Sequence, residues 1–176
     1  MAHSLLMVPV PEAEFVVRPR LARRSPQDLS PDPDEIAAHV TLLGPFAPKE
    51  AIDEGLLSEL RSFFADVLPF EFRLTRVSRF PSGPTYLTPA PAAPFRQLTL
   101  ELHRRFPEYP PYEGRFDEVV PHLSVPLPDG EDTDALATAL ASRLPITAHA
   151  REAALYWWEE GAGHTVESFP FGTTAA

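Results

Sequence analysis

AHVTLLGPF, residues 38–46, has the composition of a buried β-strand that ends at a Gly-Pro pair. Two polar residues interrupt the apolar run, His39 and Thr41. Because they are two positions apart, their side chains point to the same face of the predicted strand. One face of an otherwise apolar strand therefore carries an ionisable ring beside a hydroxyl group.

A second stretch further along the chain has the same arrangement. PHLSVPL, residues 121–127, places His122 and Ser124 two positions apart. Each of the two stretches is followed by a predicted helix and then by two predicted strands, although the side chains of the two halves differ. A duplicated unit of this kind would bring the two histidine strands together about a pseudo-twofold axis.

Hydrophobic periodicity and turn residues predict the elements that surround the two stretches. Proline or acidic residues in the first turn, followed in most cases by apolar residues at helical spacing, predict helices that begin near Pro11, Pro48, Pro94 and Asp132. Alternating or continuous apolar runs predict further strands at residues 4–8, 70–75, 85–89, 146–157 and 164–171. We expect a single α+β domain over residues 1–176. It would consist of two pseudo-symmetric lobes of antiparallel sheet with outer helices and a cleft between the sheets.

The composition is that of an ordinary soluble domain, with 44% hydrophobic and 23% charged residues. The chain has no cysteine, which excludes disulfides, thiolate metal ligands and a cysteine nucleophile. It has no apolar run of the roughly 18 residues that a transmembrane helix needs, and its first residues do not resemble a signal peptide. We therefore expect a cytoplasmic monomer without a membrane partner.

The formal net charge of −10 argues against a long nucleic-acid footprint. Proteins that track a long nucleic acid hold its phosphates with many basic side chains. This chain has 15 basic residues against 25 acidic ones. The densest basic clusters, at residues 18–24 and 103–105, have the composition of solvated helix faces. A nucleic-acid substrate would therefore be short, or it would be contacted only at one end.

The pattern of a histidine followed two residues later by a hydroxyl is too short to be specific by itself. Its alternative interpretation is a hydrogen-bonded, partly buried histidine in each strand. The repetition in the same order of elements favours a shared site over that alternative. The other histidines, at positions 3, 103, 149 and 164, lie outside the pattern.

The two stretches, with this order of helices and strands between them, resemble the two motifs of the two-histidine phosphoesterase superfamily, in its 2′-5′ RNA ligase-like branch. The resemblance extends over residues 4–171, and the second motif has serine where many members have threonine. It implies hydrolysis of a 2′,3′-cyclic phosphate on a small cyclic nucleotide or an RNA end, with 2′-5′ RNA ligation as the reverse reaction. The catalytic residues that it implies are His39, Thr41, His122 and Ser124.

These residue types suit the implied reaction. A neutral histidine can take a proton from the attacking water, and a protonated one can deliver a proton to the leaving ribose oxygen. The two hydroxyls can donate hydrogen bonds to phosphate oxygens as negative charge increases on them. The reaction then requires no metal and no cofactor, and its rate is expected to be highest near neutrality. The sequence does not assign the acid and the base.

Aromatic residues near the two motifs are candidates for stacking on a base of the substrate. The candidates are Phe46, Tyr86 and Phe116, each of which also fits a core position. Tyr112 lies in a loop that can cover the cleft.

Two other functions stay open at this point. The first is a module that binds a nucleotide or an RNA end with little turnover, which an assay of turnover would distinguish. The second is a metal protein in which His39, His122 and an acid are the ligands. The hydroxyls beside the histidines, in place of carboxylates, argue against that second function.

Overall fold

The computed structural model describes residues 1–115 and 117–173, which form eight strands and four α-helices. The strands are β1 (His3–Pro9), β2 (His39–Leu43), β3 (Phe70–Arg79), β4 (Thr85–Ala90), β5 (Leu123–Ser124), β6 (Ile146–Ala150), β7 (Glu152–Trp158) and β8 (His164–Pro170). The helices are α1 (Glu14–Arg24), α2 (Glu54–Ala65), α3 (Ala93–Arg105) and α4 (Thr133–Leu140). The α+β fold with antiparallel strands that the sequence predicts is confirmed.

All eight strands belong to one antiparallel sheet that curls into a half-barrel, in the order β6-β3-β4-β5-β2-β1-β7-β8. The first four strands in this order form one half and the last four the other. The two halves meet where β5 pairs with β2. The lobes are therefore joined edge to edge, and the cleft lies on one face of a continuous sheet.

The hairpin that follows each histidine motif along the chain belongs to the opposite half of the sheet. Hairpin β3–β4 follows the first motif, yet β4 pairs with β5 of the second motif. Hairpin β7–β8 follows the second motif, yet β7 pairs with β1, the neighbour of β2. In space, the strand equivalent to β4 is therefore β1, because each lies beside a histidine strand. The exchange of hairpins ties the two halves of the chain together.

The two faces of the sheet are distinct in composition. Leu6 and Val8 of β1 are fully buried in the main core, to which all four helices contribute apolar side chains. The alternate residues of β1 lie on the other face, as the period of two requires. There they form a small open-face cluster, which consists of Leu5, Met7, Ala154 and Tyr156 with Trp158 packed against it. The helices thus cover one face and leave the other available for a site.

The predicted single strand over residues 146–157 is wrong, because the chain forms two strands there. β6 pairs with β3 at one edge of the sheet, whereas β7 lies between β1 and β8 in the other half. Arg151, which is exposed, separates them. The sequence contains a signal for this change. Polar and apolar residues alternate up to Arg151, and a continuous apolar run follows from Ala153.

The helix that the sequence predicts to begin near Pro48 begins later in the structure. Residues 49–51 form a single 3₁₀ turn, and α2 begins only after Asp53, whose carboxylate accepts a hydrogen bond from the N–H of Leu56 at 2.9 Å. α4 ends at Leu140 because the chain turns before β6. Within residues 1–115 and 117–173, no helix is long and apolar enough to cross a membrane.

Candidate active site

The four residues of the two motifs meet at the junction of the half-sheets. Val40 of β2 pairs with Leu123 of β5 in an antiparallel register. Both of these side chains are fully buried in the main core, so the adjacent residues face the open side of the sheet. Because the strands run in opposite directions, the register continues on either side of this pair. The resulting cross-strand pairs are His39 with Ser124 and Thr41 with His122.

β5 is short because prolines bracket it. The strand has two residues, with Pro121 and Pro126 on either side. Proline has no N–H to donate to a neighbouring strand. His122 therefore immediately precedes the strand, although the sequence places it inside one. The pairing of Leu123 with both Val40 and Leu87 still fixes the position of the motif.

The register arranges the four side chains on two crossing diagonals. Residues on opposite antiparallel strands that are offset by two positions lie roughly 7–8 Å apart. The two histidines share one such diagonal and the two hydroxyls share the other. Both diagonals cross above the Val40–Leu123 pair. A tetrahedral phosphate placed over this point can contact one imidazole on each side.

Both imidazoles are oriented by the same kind of hydrogen bond. Nδ1 of His39 lies 2.8 Å from the carbonyl oxygen of Ala37, and Nδ1 of His122 lies 2.7 Å from that of Val120. A carbonyl oxygen can only accept, so Nδ1 carries the hydrogen in both rings. This fixes the tautomer and leaves each Nε2 free to accept or donate a proton.

Burial lowers the pKa of both histidines. For His39, desolvation is the largest cause, the carbonyl of Ala37 opposes it, and the positive charge of His122 lowers the pKa further. For His122, desolvation again lowers the pKa and the carbonyl of Val120 opposes it. The two rings therefore interact electrostatically, and a proton on one disfavours a proton on the other. The doubly protonated pair is therefore disfavoured.

Of the residues that the structure describes, three place an aromatic ring close to the His122 imidazole. The centroids of the Phe80 and Tyr86 rings lie 4.9 and 5.6 Å from that of the imidazole. Phe80 and Tyr86 also stack on each other, with their centroids 4.2 Å apart. Tyr112 stacks over the imidazole, with its centroid at 6.3 Å. The N–H of Tyr112 donates to the carbonyl of Gly44 at 3.1 Å, which holds this loop against the end of β2.

Two cavities open on either side of the crossing point. The first, of about 630 Å³, is lined by His39 and has much of the open-face cluster as its floor. The second, of about 620 Å³, is lined by His122 with Phe80 and Tyr112. Ser124 lines both cavities, as do Ser82 and Pro84 of the β3–β4 turn. His39, Ser124 and His122 thus border two spaces that can each hold a part of a ligand, whereas Thr41 lines neither of them.

The structure distributes the three candidate stacking residues differently. Tyr86 is opposite Ser124 in the β4–β5 register and lies at the site, where a stacking role stays a prediction. Phe46 does not lie at the site, because it is only 5% exposed and packs in the core against Phe106 and Tyr109. The prediction that Phe46 stacks on the substrate is therefore wrong. Phe116 lies outside the described residues.

Sequence reasoning missed Phe80. It directly precedes the turn at residues 81–84, and its N–H donates to the carbonyl of Pro84 at 2.9 Å. This turn brings the ring over β4 and toward His122. The available signal was an aromatic residue next to a tight turn. The sequence did not show that this turn lies beside the second motif, because β5 follows much later in the chain.

The residues that the structure describes do not bring three or more His, Asp or Glu side chains together in a group that could hold a metal ion. The side chains paired with the two histidines across the strands are hydroxyls, which are poor ligands for zinc compared with histidine, carboxylate or thiolate. The donor set at this site therefore suits proton transfer and hydrogen bonding to an anion.

Solved structures share this fold. TT0787 of Thermus thermophilus is 17% identical with a TM-score of 0.62, and the match covers 99% of this chain and 100% of that one. E. coli LigT complexed with 3′-AMP is 15% identical with a TM-score of 0.57, over 96% and 97% of the two chains. A structure described as a phosphoesterase is also 15% identical, with a TM-score of 0.57 over 98% and 99%. At these identities the likeness establishes the fold.

A comparison with family models identifies the chain directly. No curated protein sequence matches it. The model of the 2′-5′ RNA ligase superfamily, however, matches residues 8–162. This span contains both motifs and all four helices described above. It confirms the resemblance to the two-histidine phosphoesterases, and the chain belongs to the 2′-5′ RNA ligase superfamily.

Proposed function

We propose that the protein is a phosphodiesterase that hydrolyses 2′,3′-cyclic phosphates, on a small cyclic nucleotide or at an RNA end, without a metal ion. The observation that carries the proposal is the pair of crossing diagonals, on which a phosphate bound over the Val40–Leu123 pair would have one histidine on each side. Membership of the superfamily supports a phosphodiesterase or ligase type of function.

In the proposed reaction, water attacks phosphorus while the bond from phosphorus to one ribose oxygen breaks on the opposite side. The neutral histidine accepts the water proton at Nε2, and the protonated histidine donates its Nε2 proton to the leaving oxygen. The product is a ribose 2′- or 3′-phosphate. The two rings have then exchanged protonation states, which proton exchange with solvent restores. RNA 2′-5′ ligation would use the same four side chains, with the 5′-hydroxyl of a second RNA attacking phosphorus in place of water and the 3′-oxygen leaving.

The second diagonal supplies the hydrogen bonds that this reaction needs. Negative charge increases on the non-bridging phosphate oxygens as phosphorus becomes five-coordinate. Hydroxyls that already point at this position stabilise the charge without rearrangement. Thr41 and Ser124 lie on either side of the crossing point and can each donate to one oxygen.

The two cavities support a nucleotide as the substrate. The aromatic rings beside His122 can pack against a base or a ribose. E. coli LigT, a structural neighbour, has been crystallised with 3′-AMP, ATP and NADP⁺. We extend to this chain the capacity to bind small nucleotides.

The charge of the chain supports a small substrate or a single RNA end. With a net charge of −10, the surface offers little attraction for a long polyanion. The substrate would then be held by the site itself and by the two cavities. In this proposal the enzyme works as a monomer in the cytoplasm.

The direct test is turnover in the presence of excess EDTA. We expect hydrolysis of a 2′,3′-cyclic mononucleotide to a monophosphate, with kcat/KM at least as high as for a long RNA that ends in a cyclic phosphate. Chromatography of the products measures the rate and distinguishes the 2′- from the 3′-phosphate. Activity that EDTA abolishes and a divalent ion restores would support the metal protein. Nucleotide binding without any turnover would support a binding module.

The pH dependence of kcat/KM should be bell-shaped and displaced to low pH. The base is active above its pKa and the acid is active below its pKa, so each histidine produces one limb. Burial lowers both pKa values, which moves both limbs to lower pH. We therefore expect the maximum on the acid side of pH 6.5, the ordinary pKa of histidine, rather than at neutrality. The measurement is kcat/KM across pH, and a maximum at alkaline pH would contradict this assignment.

A further inference from the structure

Glu14, the first residue of α1, reaches across to the segment that precedes β2. Its Oε1 accepts a hydrogen bond from the N–H of Ala37 at 3.0 Å, and its Oε2 accepts one from the N–H of Ala38 at 2.8 Å. The carbonyl of Ala37 in turn accepts the Nδ1 hydrogen bond of His39 at 2.8 Å. A single carboxylate thus fixes the backbone that orients this imidazole.

The carboxylate of Glu14 is itself held in place. Arg18, one turn further along α1, donates from Nε to Oε1 of Glu14 at 2.7 Å. Its guanidinium also donates to the carbonyl of Glu35 in the same loop. The side chains of Glu14 and Arg18 are 18% and 29% exposed, so this network is partly shielded from water. Glu14 is therefore engaged in orienting the chain and does not reach the cleft.

The segment before His122 is anchored by a side chain of opposite charge. Arg96, in the first turn of α3, donates from Nε to the carbonyl of Val119 at 3.2 Å. The next carbonyl, that of Val120, accepts the Nδ1 hydrogen bond of His122. α3 connects β4 to β5 as α1 connects β1 to β2, so the two anchors come from equivalent helices. The backbone segments that orient the two imidazoles are thus anchored at equivalent positions, one by an acidic side chain and the other by a basic side chain.

We infer that Glu14 is a positioning residue that holds His39 in the orientation for proton transfer, through its hydrogen bonds to the peptides of Ala37 and Ala38. This inference rests on the proposed function, because orientation affects a rate only if His39 takes part in the reaction. It adds a residue outside both motifs to the machinery of the site.

The charge of Glu14 gives the inference a specific readout. Glu14 raises the pKa of His39, against burial and the positive charge of His122. Removal of this negative charge should therefore lower the pKa of His39 further. Arg18 contacts both Glu14 and the carbonyl of Glu35, and Arg24 and Asp28 line the first cavity together with His39.

The test is Glu14→Gln, measured as kcat, KM and the pH profile of kcat/KM. The amide oxygen can accept from one of the two N–H groups, but the amide nitrogen cannot accept from the other. We expect kcat to fall about 10- to 100-fold with little change in KM. One limb of the bell should move to lower pH while the other stays in place. The moving limb belongs to His39, so a shift of the acidic limb makes it the base and a shift of the alkaline limb makes it the acid.

Glu12→Gln is the matched control. Glu12 lies in the 3₁₀ turn just before α1, and it accepts a hydrogen bond from the N–H of His149 at 3.2 Å, on the edge strand β6. This variant makes the same chemical change at a partly buried site, so it should leave both limbs unmoved. A Glu14→Gln profile that matches the control and keeps the wild-type kcat would overturn the inference and leave the proposed function intact.

Two further measurements keep the inference testable. If Glu14→Gln does not fold, Glu14→Asp keeps the charge but shortens the side chain, so kcat should fall while the limbs move little; an unchanged kcat would count against positioning. If the wild type shows no turnover, the proposed function fails. NMR titration of labelled histidine then still measures the pKa of His39 in the wild type and in Glu14→Gln, and an unchanged value would reject the inference.

Discussion

Replacement of either His39 or His122 with alanine should lower kcat for cyclic-phosphate hydrolysis by about 10²–10⁴-fold, the usual contribution of a general acid or base. The expectation follows from the geometry, in which each imidazole has Nδ1 bound to a backbone carbonyl and the two histidines lie on one diagonal across the Val40–Leu123 pair. KM should change much less, because the proton transfers occur in the transition state. The measurement is steady-state kinetics with a 2′,3′-cyclic mononucleotide.

The double variant tests whether the two rings act together. If both act in one displacement, His39→Ala with His122→Ala should be little slower than the worse single variant. His164→Ala is a matched control, since Nδ1 of His164 also lies 3.1 Å from the carbonyl of a residue two positions earlier, but this side chain is exposed at the start of β8. A near wild-type rate in one of the two motif variants would show that the paired mechanism is wrong.

The local geometry of each motif was predictable from the sequence, because the period of a strand is two. His39 and Thr41 had to share a face, and the buried Val40 between them had to point to the core. The repetition around His122 and Ser124 then indicated one shared site. These inferences need only the sequence of each strand and the tendency of duplicated units to pair.

The arrangement of strands in the sheet could not be predicted in the same way. The pairing of Val40 with Leu123 joins strands far apart in the sequence, and tertiary packing decides it. For the same reason, the local hydrophobic pattern does not indicate that the hairpins are exchanged between the two halves. The sequence predicted two lobes but not their union in one sheet, and it missed Phe80, which lies on a hairpin that pairs with a later strand.

Residue type alone was also insufficient for Phe46. An aromatic residue just after a strand that carries a histidine motif fits a stacking position and a core position equally well. The core prevails here because the chain turns inward after β2, where the N–H of Phe46 donates to the carbonyl of Ser4 at 2.8 Å. Glu14 went unrecognised for a related reason, since an acidic residue in a first helical turn is ordinary helix chemistry.

Removal of the hydroxyls should produce the second largest effect, and it should be unequal. Thr41→Val keeps the shape of the side chain and removes the donor, so kcat should fall by about 10²–10³-fold, the loss typical of one oxyanion contact. Ser124 is exposed whereas Thr41 is half-buried. Water can therefore replace part of the Ser124 contact, and Ser124→Ala should cost only about 10- to 100-fold.

The conservative variants distinguish a hydrogen bond from a packing effect. Thr41→Ser and Ser124→Thr keep the donor, so their kcat should stay within about threefold of the wild type. Because the contact strengthens only as charge increases on the phosphate, the loss in Thr41→Val should appear in kcat and leave KM nearly unchanged. A variant that instead raised KM at constant kcat would show that Thr41 binds the ground state. Thr41 would then position the substrate, and the two imidazoles alone would carry the chemistry.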